Sequence, residues 1–164
     1  MNETTLRLAE RAVKLLDENK MTVSAAESCT GGLLSAYITA VAGASAVFEM
    51  GVVSYSARIK HEAIGVSEKT LETFGAVSSE TAREMAEGVR KKAASDIGLS
   101  VTGVAGPDPS EGHGPGLVYI AAASLAGTEV KELHIPYKSR SQVREAAVKE
   151  LFSLLLKTIG EVKK

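Results

Sequence analysis

Short apolar runs alternate along this chain with amphipathic segments of helical period, and the links between them are short. A sequence so patterned folds as helices layered on a sheet rather than as a bundle or an all-β sandwich. Helical spacing covers Thr5 to Asn19, Gly32 to Ala42, Ala57 to Ile64, Ser67 to Phe74, Ser78 to Ala94 and Ser139 to Ile159. Strand-like runs cover Met21 to Ala26, Phe48 to Tyr55, Ile97 to Thr102, Leu117 to Ser124 and Glu129 to Ile135, the last two joined by a hairpin turn at Ala126-Gly127. Phe48 to Tyr55 reads as a buried strand containing Gly51. Ser67 and Ser78 precede acidic first turns and predict N-caps; Ser139 or Ser141 is expected to cap the last helix, where Glu145 and Lys149 are spaced for an i,i+4 pair.

At 164 residues the chain suits one domain, 1–164, large enough to bury about 70% of its unfolded surface in a single core. Its 19 basic and 20 acidic residues are interspersed. No clustered positive field is offered to nucleic acid or to an anionic membrane, so neither partner is expected. With no tryptophan and three phenylalanines, stacking platforms for single-stranded nucleic acid are also lacking. Met1 to Lys20 alternates charges with Leu6, Ala9, Val13 and Leu16 at helical spacing, which is neither a signal peptide nor a membrane span, and a cytoplasmic protein is expected. The single cysteine, Cys29, excludes an intramolecular disulfide and agrees with a reducing compartment.

The run Glu27-Ser28-Cys29-Thr30-Gly31-Gly32 lies between a strand-like and a helix-like segment. Glycines at such a turn allow close backbone approach, and the first N–H groups of the following helix are unpaired, so the turn can hold an anion or an oxyanion. Ser28 is the first candidate for the reacting atom. The same residues also fit a plain turn in which Ser28 or Thr30 is only an N-cap.

In open α/β sheets, ligands sit beyond the carboxyl ends of parallel strands, and three such ends here carry suitable chemistry. They are Ser28, Tyr55 with Lys60, and Thr102 with the Gly103-to-Pro107 loop. A nucleophilic serine needs a base, and His61, His113 and His134 lie in unrelated settings. Lys60 could serve if burial brought its pKa from about 10.4 toward 7, a change of roughly 4 kcal/mol; otherwise it is a solvated helix lysine. The Tyr55 phenol could hydrogen-bond to it. Cys29 competes with Ser28, since a thiol is the better nucleophile. His61-Glu62 point apart and His113 lies in a glycine-rich loop, so no metal and no cofactor are assigned. Arg140 and Arg144 could present one cationic face to a phosphate or carboxylate.

Together these residues resemble the CinA carboxy-terminal domain family, whose characterised members are nicotinamide-nucleotide amidohydrolases. The resemblance spans nearly the whole chain. It is carried by Ala26 to Gly32, Gly51 to Ser56 through Lys60, Gly65-Val66, Gly75 to Ser78, Val101 to Pro107, and Arg140 through Arg144. It implies a three-layer α/β/α sandwich with a mixed, mainly parallel sheet of about five strands, and serine–lysine amide hydrolysis without a metal. Ser28 would be the nucleophile, Lys60 the general base and Tyr55 the partner of that base. Thr102 and an arginine, Arg144 ahead of Arg140, would contact the substrate.

On this reading the N–H groups of Thr30 and Gly31 are the oxyanion donors, and the Gly103-to-Gly106 backbone or an arginine holds the phosphate of nicotinamide mononucleotide. A homo-oligomer is expected. The alternative is a non-catalytic, nucleotide-responsive binding protein of the competence or DNA-damage type, in which Lys60 stays charged. The chain departs from the family where Ala57 replaces a common asparagine, where Asp108-Pro109-Ser110 replaces a run of glycines, and at His113 to Leu117. Substrate contacts are expected to differ there. Some members carry a further amino-terminal domain linked to hydrolysis of ADP-ribose; it is not in this sequence, and that activity is not assigned.

Overall fold

The computed structural model describes residues 1–162; Lys163 and Lys164, the end of the expected domain, lie outside the described residues. The strands are β1 Val23–Glu27, β2 Phe48–Val53, β3 Ile97–Gly103, β4 Leu117–Ser124 and β5 Gly127–His134. The helices are α1 Glu3–Glu18, α2 Leu33–Thr39, α3 Ala57–Ile64, α4 Glu68–Phe74, α5 Ser79–Ala93 and α6 Arg140–Val162. One five-stranded sheet runs in the order β2-β1-β3-β4-β5. β1 pairs in parallel with β2 and with β3, while β3–β4 and β4–β5 are antiparallel. Four of the five strands therefore point one way and β4 alone runs against them.

Alternate strand residues serve opposite faces, which builds three layers. Ala25, Leu99 and Ile120 face the larger core with Leu16, Leu151 and Phe152 of α1 and α6. Ala26 faces the other side with Ile64, Met85 and Val89, and Ala121 and Ala123 meet Ala82 and Ala86 of α5. Helices cover both faces, so β1 and β3 are buried along almost their whole length, as continuous apolar runs require. α5 lies close to the sheet because its contacts are small. A Cβ on Gly98 would come within 2.2 Å of the Ala86 carbonyl oxygen.

The serine caps predicted at Ser67, Ser78 and Ser139 form, and Ser56 caps α3 as well. Ser56, Ser67 and Ser78 accept from Ile59, Thr70 and Thr81 N–H, and Ser139, not Ser141, accepts from Gln142 N–H. Other expectations are corrected. β2 is an edge strand with alternating exposure rather than a buried one, and it ends at Val53, with Ser54 N–H donating the last bond of the parallel ladder to the Glu27 carbonyl. α2 stops at Thr39, and Gly43, at φ 87°, turns the chain into a short 3₁₀ segment, Ala44–Ala46. Glu145 does not pair with Lys149; it accepts from the buried Tyr37 hydroxyl, tying α2 to α6.

From β1 the chain crosses to β2 on one side and later returns to β3 on the other. The order of connection thus reverses at the carboxyl ends of β1 and β3, where an open α/β sheet leaves a crevice.

Candidate active site

Ser28 follows β1 directly, and its N–H donates to the Val101 carbonyl of β3 at 3.0 Å. Lys60 is one turn into α3, on the same face as Ile64; these two are the buried residues of that helix. The Ser56 cap and the alanine at 57 start the helix so that its lysine points inward. Lys60 is fully buried, and its Nζ lies 3.0 Å from Ser28 Oγ, 2.7 Å from the Ser54 carbonyl oxygen and 3.3 Å from that of Tyr55.

This coordination defines what the amine can do. A neutral lysine has two N–H bonds and one lone pair. With two carbonyls taking the N–H bonds, the lone pair is left toward the Ser28 hydroxyl. Burial pushes the Lys60 pKa down to about 8, against the opposing pull of the Glu111 carboxylate. At pH 7 the neutral fraction is then roughly 300-fold larger than for a lysine titrating at its ordinary value of 10.5. The Cys29 thiol moves the other way, pushed up to about 11 by burial. It stays protonated at neutral pH, and it is the neighbouring Ser28, not Cys29, that hydrogen-bonds to the Lys60 amine.

A cavity of about 470 Å³ opens above the pair, of the size that takes a small-molecule ligand. Ser28, Lys60, Thr102, Gly103, Gly106 and Arg140 line it, so the three strand ends anticipated from sequence do converge. Ala57, Asp108 and Ser110, three of the positions where substrate contacts are expected to differ, line it as well. Among the described residues, no group of three histidines, cysteines or acidic side chains is placed to hold a metal ion.

Several expected roles are relocated. The Tyr55 phenol does not reach Lys60; it is 59% exposed and accepts from Arg140 Nη2 at 2.7 Å, and only the Tyr55 carbonyl touches the base. Arg144, expected ahead of Arg140 at the substrate, is absent from the cavity wall and donates from Nε to the Thr30 carbonyl at 3.2 Å. Arg140 lines the cavity and is also held by the Gly106 carbonyl at 2.8 Å. The Thr102 hydroxyl donates to the Ala76 carbonyl at 2.7 Å, so toward a ligand it can only accept.

Gly31 N–H is occupied by the Ser28 carbonyl at 3.0 Å. Among the described residues no oxygen accepts from the N–H of Cys29 or Thr30, so the open N–H groups of this turn lie one residue nearer Ser28 than expected from sequence. Three residues with a part in this geometry were given no role in the sequence reading. Ser54 supplies a carbonyl to the base. Glu111, at φ 52°, lines the cavity and accepts from Val77 N–H at 3.0 Å. Glu27 is fully buried beneath the turn. Only Glu27 left a trace in sequence, as a carboxylate ending an apolar strand.

Fold and site together define a three-layer α/β domain carrying a buried serine–lysine pair at the carboxyl ends of parallel strands. Comparison with known proteins gives the family. The sequence pattern of the CinA C-terminal domain matches residues 5–159, and the chain belongs to that family. A relative from Acetivibrio thermocellus, provisionally named a competence-damage inducible protein, is 51% identical over 153 residues, 93% of this chain and 37% of the relative. A Bacillus subtilis protein with the same provisional name is 48% identical over 144 residues, 88% of this chain and 34% of its own length. This chain thus spans about a third of those relatives. Among solved structures, the competence/damage inducible protein CihA from Agrobacterium tumefaciens superposes with a TM-score of 0.92 at 35% identity, covering 96% of each chain. A CinA superfamily protein from Klebsiella pneumoniae does so with a TM-score of 0.92 at 30% identity, covering 98% of this chain and 99% of its own.

Proposed function

We propose that this chain hydrolyses the carboxamide of nicotinamide mononucleotide to nicotinic acid mononucleotide and ammonia. The observation that carries the reading is the buried Lys60 Nζ, 3.0 Å from Ser28 Oγ with its remaining bonds on two carbonyls. Ser28 Oγ attacks the amide carbon as its proton passes to Lys60, and the oxyanion is met by the N–H groups of Cys29 and Thr30, each of a kind contributing about 10² to 10³ in rate. Lys60 returns the proton to the departing nitrogen and ammonia leaves. Water, deprotonated by the same amine, then attacks the acyl carbon; the bond to Ser28 Oγ breaks, Lys60 returns the proton to that oxygen, and the carboxylate is freed.

The cavity walls support this substrate. Arg140, which lines the cavity, is the cation for a phosphate, while the Asp108 and Glu111 carboxylates that also line it complement a pyridinium ring. The test is mass-spectrometric detection of nicotinic acid mononucleotide, with parallel ammonia release, from metal-free protein and its Ser28→Ala variant. Product from the parent alone supports the reading, and the variant is expected to retain binding. Undiminished ammonia release from Ser28→Ala rejects the nucleophile. Binding by the parent without product favours the nucleotide-responsive binding protein.

A further inference from the structure

The fully buried Glu27 carboxylate takes no part in the steps above. Its Oε2 accepts from Thr30 Oγ1 at 2.7 Å, Gly32 N–H at 3.1 Å and Leu34 N–H at 3.0 Å. Its Oε1 accepts from Ser35 N–H at 2.9 Å and Ser35 Oγ at 2.7 Å. Every partner is a donor, which suits an acceptor-only carboxylate with about four lone-pair positions. No cation is paired with it among the described residues, and a buried charge so placed is costly unless hydrogen bonds satisfy it in full.

Capping a helix does not by itself require such a group. Asn2, Ser56, Ser67 and Ser78 cap α1, α3, α4 and α5 with neutral side chains from the residue next to each helix. At α2 the adjacent residue is Gly32, which has no side chain to offer, and the cap comes instead from the last residue of β1. One side chain therefore spans the turn from strand end to helix start, with Ser28, Cys29 and Thr30 between its two ends. Thr30 is gripped twice, its hydroxyl by Glu27 and its carbonyl by Arg144. The Glu27 carbonyl also accepts from Ser54 N–H at 2.8 Å, and the Ser54 carbonyl in turn holds Lys60. Nucleophile and base are both referenced to this residue.

We propose that Glu27 is a positioning residue for acyl transfer at Ser28, holding the 28–30 turn so that the Ser28 hydroxyl meets Lys60 while the N–H groups of Cys29 and Thr30 stay unpaired. The inference rests on Ser28 as the nucleophile of the proposed reaction. It concerns the shape of the turn and not the identity of the amide.

An alkyl fluorophosphonate tests it without the nucleotide. Ser28 Oγ forms a bond to phosphorus as the P–F bond breaks, fluoride leaves, the proton passes to Lys60, and the phosphoryl oxygen takes the place of the oxyanion. Labelling rates, followed by intact mass from pH 6 to 10, are expected to fall about 100-fold in Glu27→Gln with the pH midpoint unchanged, because the burial of Lys60 is untouched. Thr30→Val and Ser35→Ala each delete one hydroxyl from the same carboxylate, on the turn side and on the helix side. The first is expected to slow labelling about tenfold and the second less than about threefold, at similar thermal stability.

Parent-like labelling of Glu27→Gln overturns the positioning role. So does equal slowing in Thr30→Val and Ser35→Ala, and that pair decides alone if Glu27→Gln does not fold. Failure of the parent to label removes the nucleophile and this inference with it. Labelling of the parent without nicotinamide mononucleotide turnover leaves the positioning role standing and removes only that substrate.

Discussion

Arg140 Nη2 donates to the Tyr55 hydroxyl at 2.7 Å, joining the first residue of α6 to the segment that carries the base. Since Arg140 also donates to the Gly106 carbonyl, one guanidinium spans two loops at the rim of the cavity.

Removing the phenol and removing the cation should therefore differ. Tyr55→Phe frees one Arg140 donor but keeps the carbonyl contact to Lys60, so KM for the nucleotide should rise less than about fivefold with kcat preserved. Arg140→Ala deletes the charge-assisted contact, worth about 1.5–3 kcal/mol, and KM should rise roughly 10- to 100-fold. Steady-state ammonia release distinguishes the two; an unchanged KM in Arg140→Ala would remove it from substrate binding.

Activity should follow the free amine. With Lys60 at about 8, kcat/KM should climb with unit slope below that pH and level off above it. The Glu111 carboxylate raises the Lys60 pKa, so Glu111→Gln should move the midpoint toward acid. Rate profiles of both proteins from pH 6 to 10 check the position and the direction.

The same buried amine predicts how stability varies with pH. Lys60 titrates at about 8 when folded, against its ordinary value of 10.5, so between these values the unfolded chain binds more protons and stability rises with pH. Below pH 8 the full cost of burying the charge is present, on the order of 3 kcal/mol. Urea unfolding of the parent and of Lys60→Met should diverge in the parent's favour from pH 8 to 10.5; parallel curves would show that the buried amine carries no such penalty.

α5 should tolerate no side chain beneath it. Gly98→Ala places a Cβ 2.2 Å from the Ala86 carbonyl oxygen, and a backbone group cannot swing away. The overpacking should cost about 1–3 kcal/mol and lower Tm by roughly 3–10 °C in a chain of this size. Thermal melts followed by circular dichroism read this directly.

Most elements were legible because their signals are local. Serine caps and apolar period placed the helices to within a few residues, and the Ala57–Ile64 helix and Leu117–Ser124 strand have the predicted bounds. The errors fall where a distant partner decides. Glu145 prefers the Tyr37 hydroxyl to Lys149, and the Tyr55 ring turns to Arg140 across 85 positions of chain. None of those partners is close enough in sequence to mark its effect.

What the sequence alone determined was the layered α/β fold and the turn that presents Ser28, with Lys60 only a candidate base, because hydrophobic period and turn chemistry act over a few residues. The tertiary structure decided which nitrogen, hydroxyl and carbonyl groups remain free to react. It assigned Arg140 to the cavity and Arg144 to the Thr30 carbonyl, moved the open N–H groups from Gly31 to Cys29, and set Glu27 under the turn. Burial and hydrogen-bond pairing are properties of neighbours in space, and only the packed chain brings those neighbours together.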